Sequence, residues 1–155
     1  MLVAALAMLA LFSGCYGNNP NVAVTIGDRT ITEAELSVYT DAINVVLKEA
    51  GASNQFARED MIGRGIIGVL ALQGAASQPA LGKLVGDAQL AEFSQQPDFI
   101  SLAQQTAFQP FFKEFLAALI VINAVNSNGD TEVLFALQTV ALEIPVKLNP
   151  RYGDW

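Results

Sequence analysis

The first fifty residues change hydrophobic pattern twice. Residues 1–12 are all apolar, and small and turn-forming residues follow them. The β-branched run Val22–Ile26 ends at Gly27 and Asp28, which predicts a short strand and a turn. From residue 32 apolar positions recur at steps of three and four, so we predict a helix that begins at Glu33 and ends before Gly51.

Residues 56–76 predict a second helix, amphipathic at first and then apolar nearly all round. A helix with that pattern belongs in the middle of a core. Gly65 and Gly68 each cost about 1 kcal/mol relative to Ala inside a helix, so close approach of a neighbouring helix is the expected compensation. Gln78-Pro79 and residues 82–86 are predicted to break the chain.

Three further helical segments follow in the pattern. One covers residues 87–93, and a second opens at Asp98, restarts at Pro110 and runs to about residue 125. Asp130 is expected to cap a last helix that ends near residue 140.

The end of the chain is predicted to be extended. Residues 126–129 indicate a turn before the last helix, and residues 142–148 indicate a strand after it. Pro145 restricts that strand to the edge of a sheet or to an unpaired position. The predicted fold class is therefore mostly α, with short β-strands at the N- and C-terminal ends.

Composition removes several classes of function. The 155 residues include 15 Asp and Glu against 8 Lys and Arg, for a net charge of −7, which is the wrong sign for a nucleic-acid partner. The sequence contains no histidine and a single cysteine, Cys15, so histidine bases, His/Cys zinc sites and internal disulfides are excluded. We therefore predict that the protein is not an enzyme.

Two glycine motifs are incomplete as nucleotide sites. Residues 63–68 read Gly-Arg-Gly-Ile-Ile-Gly, but the residues before them are charged and helix-like rather than a strand. Gly82-Lys83 lacks both the upstream glycine and the Ser or Thr of a phosphate loop, which predicts an ordinary loop. No cofactor is expected.

A third motif only partly resembles a calcium loop. Asn126, Asn128 and Asp130 surround Gly129, yet Phe135 stands where the bidentate glutamate should be. A turn between two helices is the better interpretation, and no metal is expected.

Phenylalanines concentrate in one segment. Spacings of 3, 4 and 7 residues place four rings on one helix face: Phe108, Phe111, Phe112 and Phe115. They are either core anchors or an apolar cradle for extended polypeptide, and we take all four as candidate client-binding residues. With a helix restart at Pro110, we expect Phe111 and Phe115 to face the core and Phe108 or Phe112 to lie nearer a groove.

The N-terminus resembles a bacterial lipoprotein signal. An apolar run is followed by Ser13-Gly14-Cys15, where such a signal is cut before a cysteine that receives diacylglycerol. The resemblance implies a signal peptide at residues 1–14, a tether at 15–21, and an extracytoplasmic domain at 22–155, anchored to the bacterial membrane by lipidated Cys15. The alternatives are a chance cysteine after an ordinary secretory signal, or a buried N-terminal helix.

Both ends of the remaining chain resemble one family. Residues 22–36, VAVTIGDRTITEAEL, are similar to the opening of SurA/PrsA-type extracytoplasmic chaperones, and residues 86–90, GDAQL, to the start of their third helix. Residues 144–155, IPVKLNPRYGDW, resemble the close of short SurA-like lipoproteins. The resemblance implies a multi-helix, trigger-factor-related, peptide-binding module of the SurA N-terminal type, closed by the terminal strand.

The same resemblance implies a function. Many members insert a parvulin prolyl-isomerase domain before the last helix, but only residues 127–129 separate the last two predicted helices here. We therefore expect a membrane-anchored holdase that binds unfolded or extended exported polypeptides without isomerase catalysis. The alternative is a structural or adaptor lipoprotein that binds one folded cell-envelope partner.

Overall fold

The computed structural model describes residues 19–153, except for the side chain of residue 98. The predicted signal peptide, most of the predicted tether and Cys15 lie outside the described residues. The described elements, in chain order, are β1 (Val22–Ile26), β2 (Arg29–Thr32), α1 (Glu33–Glu49), α2 (Arg58–Gly74), α3 (Pro79–Leu84), α4 (Asp87–Ser94), α5 (Pro97–Ala103), α6 (Gln109–Asn128), α7 (Thr131–Glu143), β3 (Val146–Leu148) and a 3₁₀ turn at Pro150–Tyr152. The mostly α prediction, with short strands near both ends of the domain, is confirmed.

The three strands form one antiparallel sheet in the order β2-β1-β3. β1 pairs with β2 through a tight turn and with β3 in the register Val24 to Leu148 and Ile26 to Val146. Gly27 N donates to the carbonyl of Pro145 at 2.9 Å, directly before β3. β3 is thus an edge strand, as the proline predicts.

Helix α1 begins where its capping residues place it. The Thr32 hydroxyl accepts from Glu35 N at 3.2 Å, and the Glu35 carboxylate accepts from Thr32 N at 2.8 Å. This reciprocal pair satisfies two backbone donors at the helix start. Gly51 follows the helix with φ +77°, a conformation that glycine adopts without strain.

Helices α2 and α6 cross at the centre of the core. A Cβ built on Gly68 would lie 1.9 Å from the carbonyl oxygen of Glu114 in α6. A Cβ on Gly65 would lie 2.9 Å from Ile31 and 3.3 Å from the ring of Phe111. The expected close approach of a neighbouring helix is confirmed at Gly68, whereas at Gly65 the nearest atom belongs to Ile31 of β2 and the next to Phe111 of α6. Residues 63–68 lie inside α2 rather than in a nucleotide-binding turn.

The break predicted at Gln78-Pro79 is confirmed, since α2 ends at Gly74 and α3 begins at Pro79, but the loop predicted at Gly82-Lys83 is wrong. Gly82 and Lys83 lie in α3, not in a loop, and Pro79 occupies the first turn of that helix, where a missing N–H costs nothing. A Cβ on Gly82 would lie 2.6 Å from the carbonyl oxygen of Ala75, so the glycine serves packing rather than a turn.

The end of the chain is also more helical than predicted. Helix α6 continues to Asn128, Gly129 alone makes the left-handed turn with φ +65°, and Asp130 caps α7 by accepting from Val133 N at 3.1 Å. Because α7 extends to Glu143, the final strand is confined to Val146–Leu148.

Asn149 fixes the C-terminal strand to β1. Its backbone N–H donates to Ala23 O at 2.9 Å, and its side-chain amide donates to Val22 O at 2.8 Å. Arg151 extends this contact by donating to Pro20 O at 3.0 Å. We call Asn149, Arg151 and Tyr152 the C-terminal clamp.

The rest of the C-terminal clamp reaches the first turn of α1. Tyr152 Oη donates to Glu33 Oε2 at 2.7 Å, and Arg151 Nη1 lies 3.6 Å from Glu33 Oε1. Partial burial and the hydrogen bond to Glu33 raise the pKa of Tyr152 above its ordinary value, so the phenol remains the donor at neutral pH. The Asn-Pro-Arg-Tyr run thus joins the two ends of the domain.

Asn149→Ala is expected to lower the free energy of unfolding by about 1 to 3 kcal/mol, because it leaves the part-buried Val22 carbonyl without its side-chain partner. Urea denaturation measures the change. Asn54→Ala, at an exposed position between α1 and α2, is the matched control and should leave the midpoint unchanged. Equal midpoints for the two variants would contradict the role of the C-terminal clamp.

Candidate functional site

An apolar groove lies where α1, α5 and α6 meet. Its volume is about 300 Å³, and every side chain that lines it is apolar: Ile43, Val46, Leu47, Ala50, Phe56, Phe99, Leu102, Phe115 and Leu119. A lining without acids, bases, hydroxyls or amides offers nothing to a covalent reaction. It can bind only other apolar groups, by removing their surface from water.

Helix periodicity builds two of the groove walls. Ile43, Val46 and Leu47 on α1 and its C-cap residue Ala50 stand at positions i, i+3, i+4 and i+7, which share one helix face. Phe115 and Leu119 on α6 are an i, i+4 pair in the same way. Leu47, Phe99 and Leu119 are only partly buried, so the groove presents apolar surface to solvent.

Phe56 is held in the groove wall by its backbone. Asn44 donates to Phe56 O at 2.9 Å and accepts from Phe56 N at 2.8 Å, as a neighbouring strand would. The Phe56 ring meets Phe115 edge-on at 6.2 Å, and the guanidinium of Arg64 lies 4.1 Å from the Phe56 ring centroid. These contacts fix a ring that the irregular link between α1 and α2 would otherwise leave mobile.

The four candidate phenylalanines divide into two groups. Phe108, Phe111 and Phe115 are 0, 1 and 2% exposed, whereas Phe112 is half-buried. Helix α6 begins at Gln109 with Pro110 in its first turn, so the predicted restart is confirmed. Phe111 and Phe115 face the core as expected, and Phe112 rather than Phe108 is the ring nearer the surface.

Of these four rings, Phe115 alone lines the apolar groove. Sequence reasoning missed the remaining eight lining residues as a site. Two features of the sequence could have indicated the groove. One is the end of the apolar stripe of α1, at Leu47 and Ala50, and the other is Phe99 in the short helix α5. Residues from separate elements give no continuous pattern, so only the tertiary structure brings them together.

Arg29 joins the sheet to helices α1 and α6. It donates to Glu114 Oε1 at 2.9 Å and to Thr30 O at 2.6 Å, and lies 3.4 Å from Glu35 Oε1. Burial alone would raise the pKa of Glu35, but hydrogen bonds from Thr32 and the charge of Arg29 lower it below its ordinary value. Glu35 is thus an ionised partner of a structural cation, not a candidate acid or base.

The described residues contain no candidate metal site. They contain no group of three or more Asp, Glu, His or Cys side chains that could hold a metal ion. Within the same range, α6 is the single helix long and apolar enough to cross a membrane, and Phe111, Phe115 and Leu116 on it are buried against the rest of the domain. Of the apolar window of α6, 44% is buried inside the domain.

Comparisons of the chain with protein-family models, with curated proteins and with solved structures found no match. Support for a function therefore comes from the apolar groove and from the motifs at the two ends of the domain.

Proposed function

We propose that the protein is a SurA-like, membrane-anchored extracytoplasmic holdase that binds unfolded exported polypeptides without catalysis. The observation that carries the proposal is the apolar groove, whose nine lining side chains are all apolar and in part exposed to solvent. Apolar side chains of an unfolded client would bury their surface there. Folded proteins bury most of their apolar side chains and would therefore not bind to the groove.

The size of the groove fits transient binding. A volume of about 300 Å³ holds roughly ten atoms of the size of a water molecule, which is enough for two side chains the size of Leu. Burying two such side chains gains about 3 to 6 kcal/mol, and much of that gain offsets the lost freedom of the client. Binding by one groove is therefore weak and reversible, as a holdase requires.

The closure of the domain supports the SurA-like assignment. β3 returns to pair with β1, and the C-terminal clamp carries the Asn-Pro-Arg-Tyr residues of the family resemblance. Helix α6 ends at Asn128 and α7 begins at Thr131, so no isomerase domain lies between these helices. This short connection favours a non-catalytic member.

The proposal predicts suppression of aggregation. A several-fold molar excess of the protein should keep an unfolded secretory protein from scattering light, and Leu47→Gln should weaken the effect because it places an amide in the apolar groove. Val45→Gln on the exposed face of α1 is the matched control and should behave as the parent protein does. No suppression at several-fold excess would contradict the proposal.

Cys15 would supply the membrane anchor. Cys15→Ser removes the sulfur that carries diacylglycerol, and about 0.8 kcal/mol of membrane affinity is lost for each methylene no longer buried. We expect the variant in the soluble fraction or unprocessed after cell fractionation. A processed variant that remains with membranes would contradict lipidation at Cys15.

One observation favours the adaptor function as a second candidate. On α7, Phe135 is 66% exposed and Leu142 is 89% exposed, two turns apart on one face and away from the apolar groove. Such a pair suits contact with a folded partner. Cross-linking and pull-down should recover many unrelated clients for a holdase, but a single stoichiometric partner for an adaptor, lost in Phe135→Asp.

A further inference from the structure

Helix α7 carries more apolar side chains than the core of the domain uses. Eight of its 13 residues are apolar, but only Val133, Ala136 and Val140 are buried. Phe135 and Leu142, at 66 and 89%, are the most exposed large apolar side chains among the described residues. They lie seven residues apart, on one side of the helix. An exposed surplus of this kind is typical of a contact surface.

The exposed side of α7 is uncharged over most of its length. We call Phe135, Gln138, Thr139 and Leu142 the α7 face, and all four are exposed. The charged residues of α7, Glu132 and Glu143, lie near its two ends. On a chain with net charge −7, a face without charge is where a second copy can approach with little repulsion.

A cavity open to solvent lies beside the α7 face, between α7 and the start of α3. Its volume is about 440 Å³. One wall is formed by Gln78, Pro79 and Ala80, and the α7 wall is formed by Thr131, Glu132, Phe135, Ala136 and Thr139. The α7 wall is therefore centred on position 135, with one turn of helix on either side. Such a wall resembles the holes that receive side chains of a facing helix in helix pairs.

An antiparallel second copy would bring Leu142 to this cavity. If two α7 helices pack about a two-fold axis between positions 138 and 139, then positions 135 and 142 are equally far from the axis. Leu142 of one copy is then level with Phe135 of the other, in the middle of the cavity wall. The symmetry repeats the same contact on the other side, so two exposed leucines meet two cavities.

We propose that the α7 face is the contact surface of a homodimer, in which Leu142 of each copy fills the cavity beside Phe135 of the other. The two side chains expose roughly 300 Å² per copy, and the polar rim adds about as much, so the dimer buries about 1,200 Å² in total. That area lies at the lower limit for specific interfaces. The dimer is therefore weak and reversible, with an expected dissociation constant of roughly 10 µM.

The dimer leaves both apolar grooves open, because the nine residues that line each groove all lie outside α7. Two grooves on one particle can hold a long unfolded client at two points, which strengthens binding without any new contact. This consequence rests on the proposed function, whereas the dimer itself does not.

Analytical ultracentrifugation of the full chain carrying Cys15→Ser, from about 1 to 300 µM, measures the dimer without a lipid anchor. We expect the mass to double as the concentration rises. Leu142→Gln should raise the dissociation constant at least tenfold and leave the melting temperature unchanged, since that side chain is 89% exposed. Val45→Gln, on the exposed face of α1, is the matched control. A chain that stays monomeric to about 300 µM, or a dimer that Leu142→Gln leaves intact, would overturn the inference.

Single cysteines test the antiparallel register. In the Cys15→Ser chain an engineered cysteine is the only thiol. Gln138→Cys lies beside the proposed axis, so mild oxidation should give a disulfide-linked dimer. Glu132→Cys is equally exposed, but its two copies would stand about 20 Å apart along the paired helices, too far for a disulfide. Equal yields of linked dimer from the two variants would contradict the proposed packing.

Two other outcomes would give the α7 face a different occupant and overturn the homodimer. One is a monomeric chain that recovers a single folded partner, lost in Leu142→Gln. The other is a monomeric Cys15→Ser chain that binds phosphatidylcholine vesicles through Leu142. No unfolded client is present in the mass and disulfide measurements, so failure of the dimer leaves the holdase proposal standing.

Discussion

Gly68→Ala is expected to lower the free energy of unfolding by about 3 kcal/mol or more, or to prevent folding altogether. The new Cβ would stand 1.9 Å from the backbone oxygen of Glu114, which no side-chain rotation can relieve. Helices α2 and α6 would have to separate, and overpacking of that kind costs at the upper end of the range for core substitutions. Urea denaturation followed by circular dichroism measures the loss.

Gly63→Ala is the matched control in the same helix. A Cβ at Gly63 meets nothing within 4 Å, so alanine adds helix propensity without a clash. We expect the free energy of unfolding to rise by about 0.5 to 1 kcal/mol. If Gly68→Ala were as stable as Gly63→Ala, the close crossing of α2 and α6 would be wrong.

Phe111→Ala should cost about 3 to 5 kcal/mol, the usual loss for a buried phenylalanine. The Phe111 ring is 1% exposed, stacks on Tyr39 at 4.9 Å with an interplanar angle of 5°, and meets Phe108 edge-on at 5.7 Å. Removal of the Phe111 ring leaves a cavity beside Tyr39 and Phe108. Because Phe111 does not line the apolar groove, peptide affinity at temperatures where the variant is folded should be unchanged.

The neighbouring Phe112→Ala distinguishes core from surface on the same helix. Phe112 is half-buried, so we expect a loss of about 1 kcal/mol. Phe115→Ala should reduce both stability and peptide binding, since that ring is buried and also lines the groove. Equal, large stability losses for Phe108, Phe111, Phe112 and Phe115 with unchanged peptide binding would contradict client binding by any of the four rings.

Local signals predicted the parts of the fold that local contacts determine. The start of α1 follows from Thr32 and Glu35, which bond to each other three residues apart, and the cap of α7 follows from Asp130 in the same way. The turn at Gly129 and the edge position of the strand after Pro145 could also be predicted from the sequence. Each depends on chemistry within a few residues of the chain.

Signals that depend on distant contacts were misread or missed. Gly82 looks like a loop residue, yet it lies in α3. The position is occupied by glycine because the carbonyl oxygen of Ala75 approaches too closely for a side chain. Phe108 is fully buried although it lies just outside its helix, because Tyr39 and Phe115 pack against it. The groove combines α1, α5, α6 and the link at Phe56, a set of neighbours that no periodicity in one segment can reveal.

The pairing of β1 with β3 also means that the sheet cannot be completed until β3 has been synthesised. Ile26 pairs with Val146, 120 positions later in the chain, so β1 acquires its second neighbour only after residue 146 has been made. At about 5 to 20 residues per second of synthesis, that interval is roughly 6 to 24 seconds. During this interval one edge of β1 has no strand beside it and can pair with another nascent chain. The arrival of β3 therefore ends the period in which this edge of β1 can aggregate.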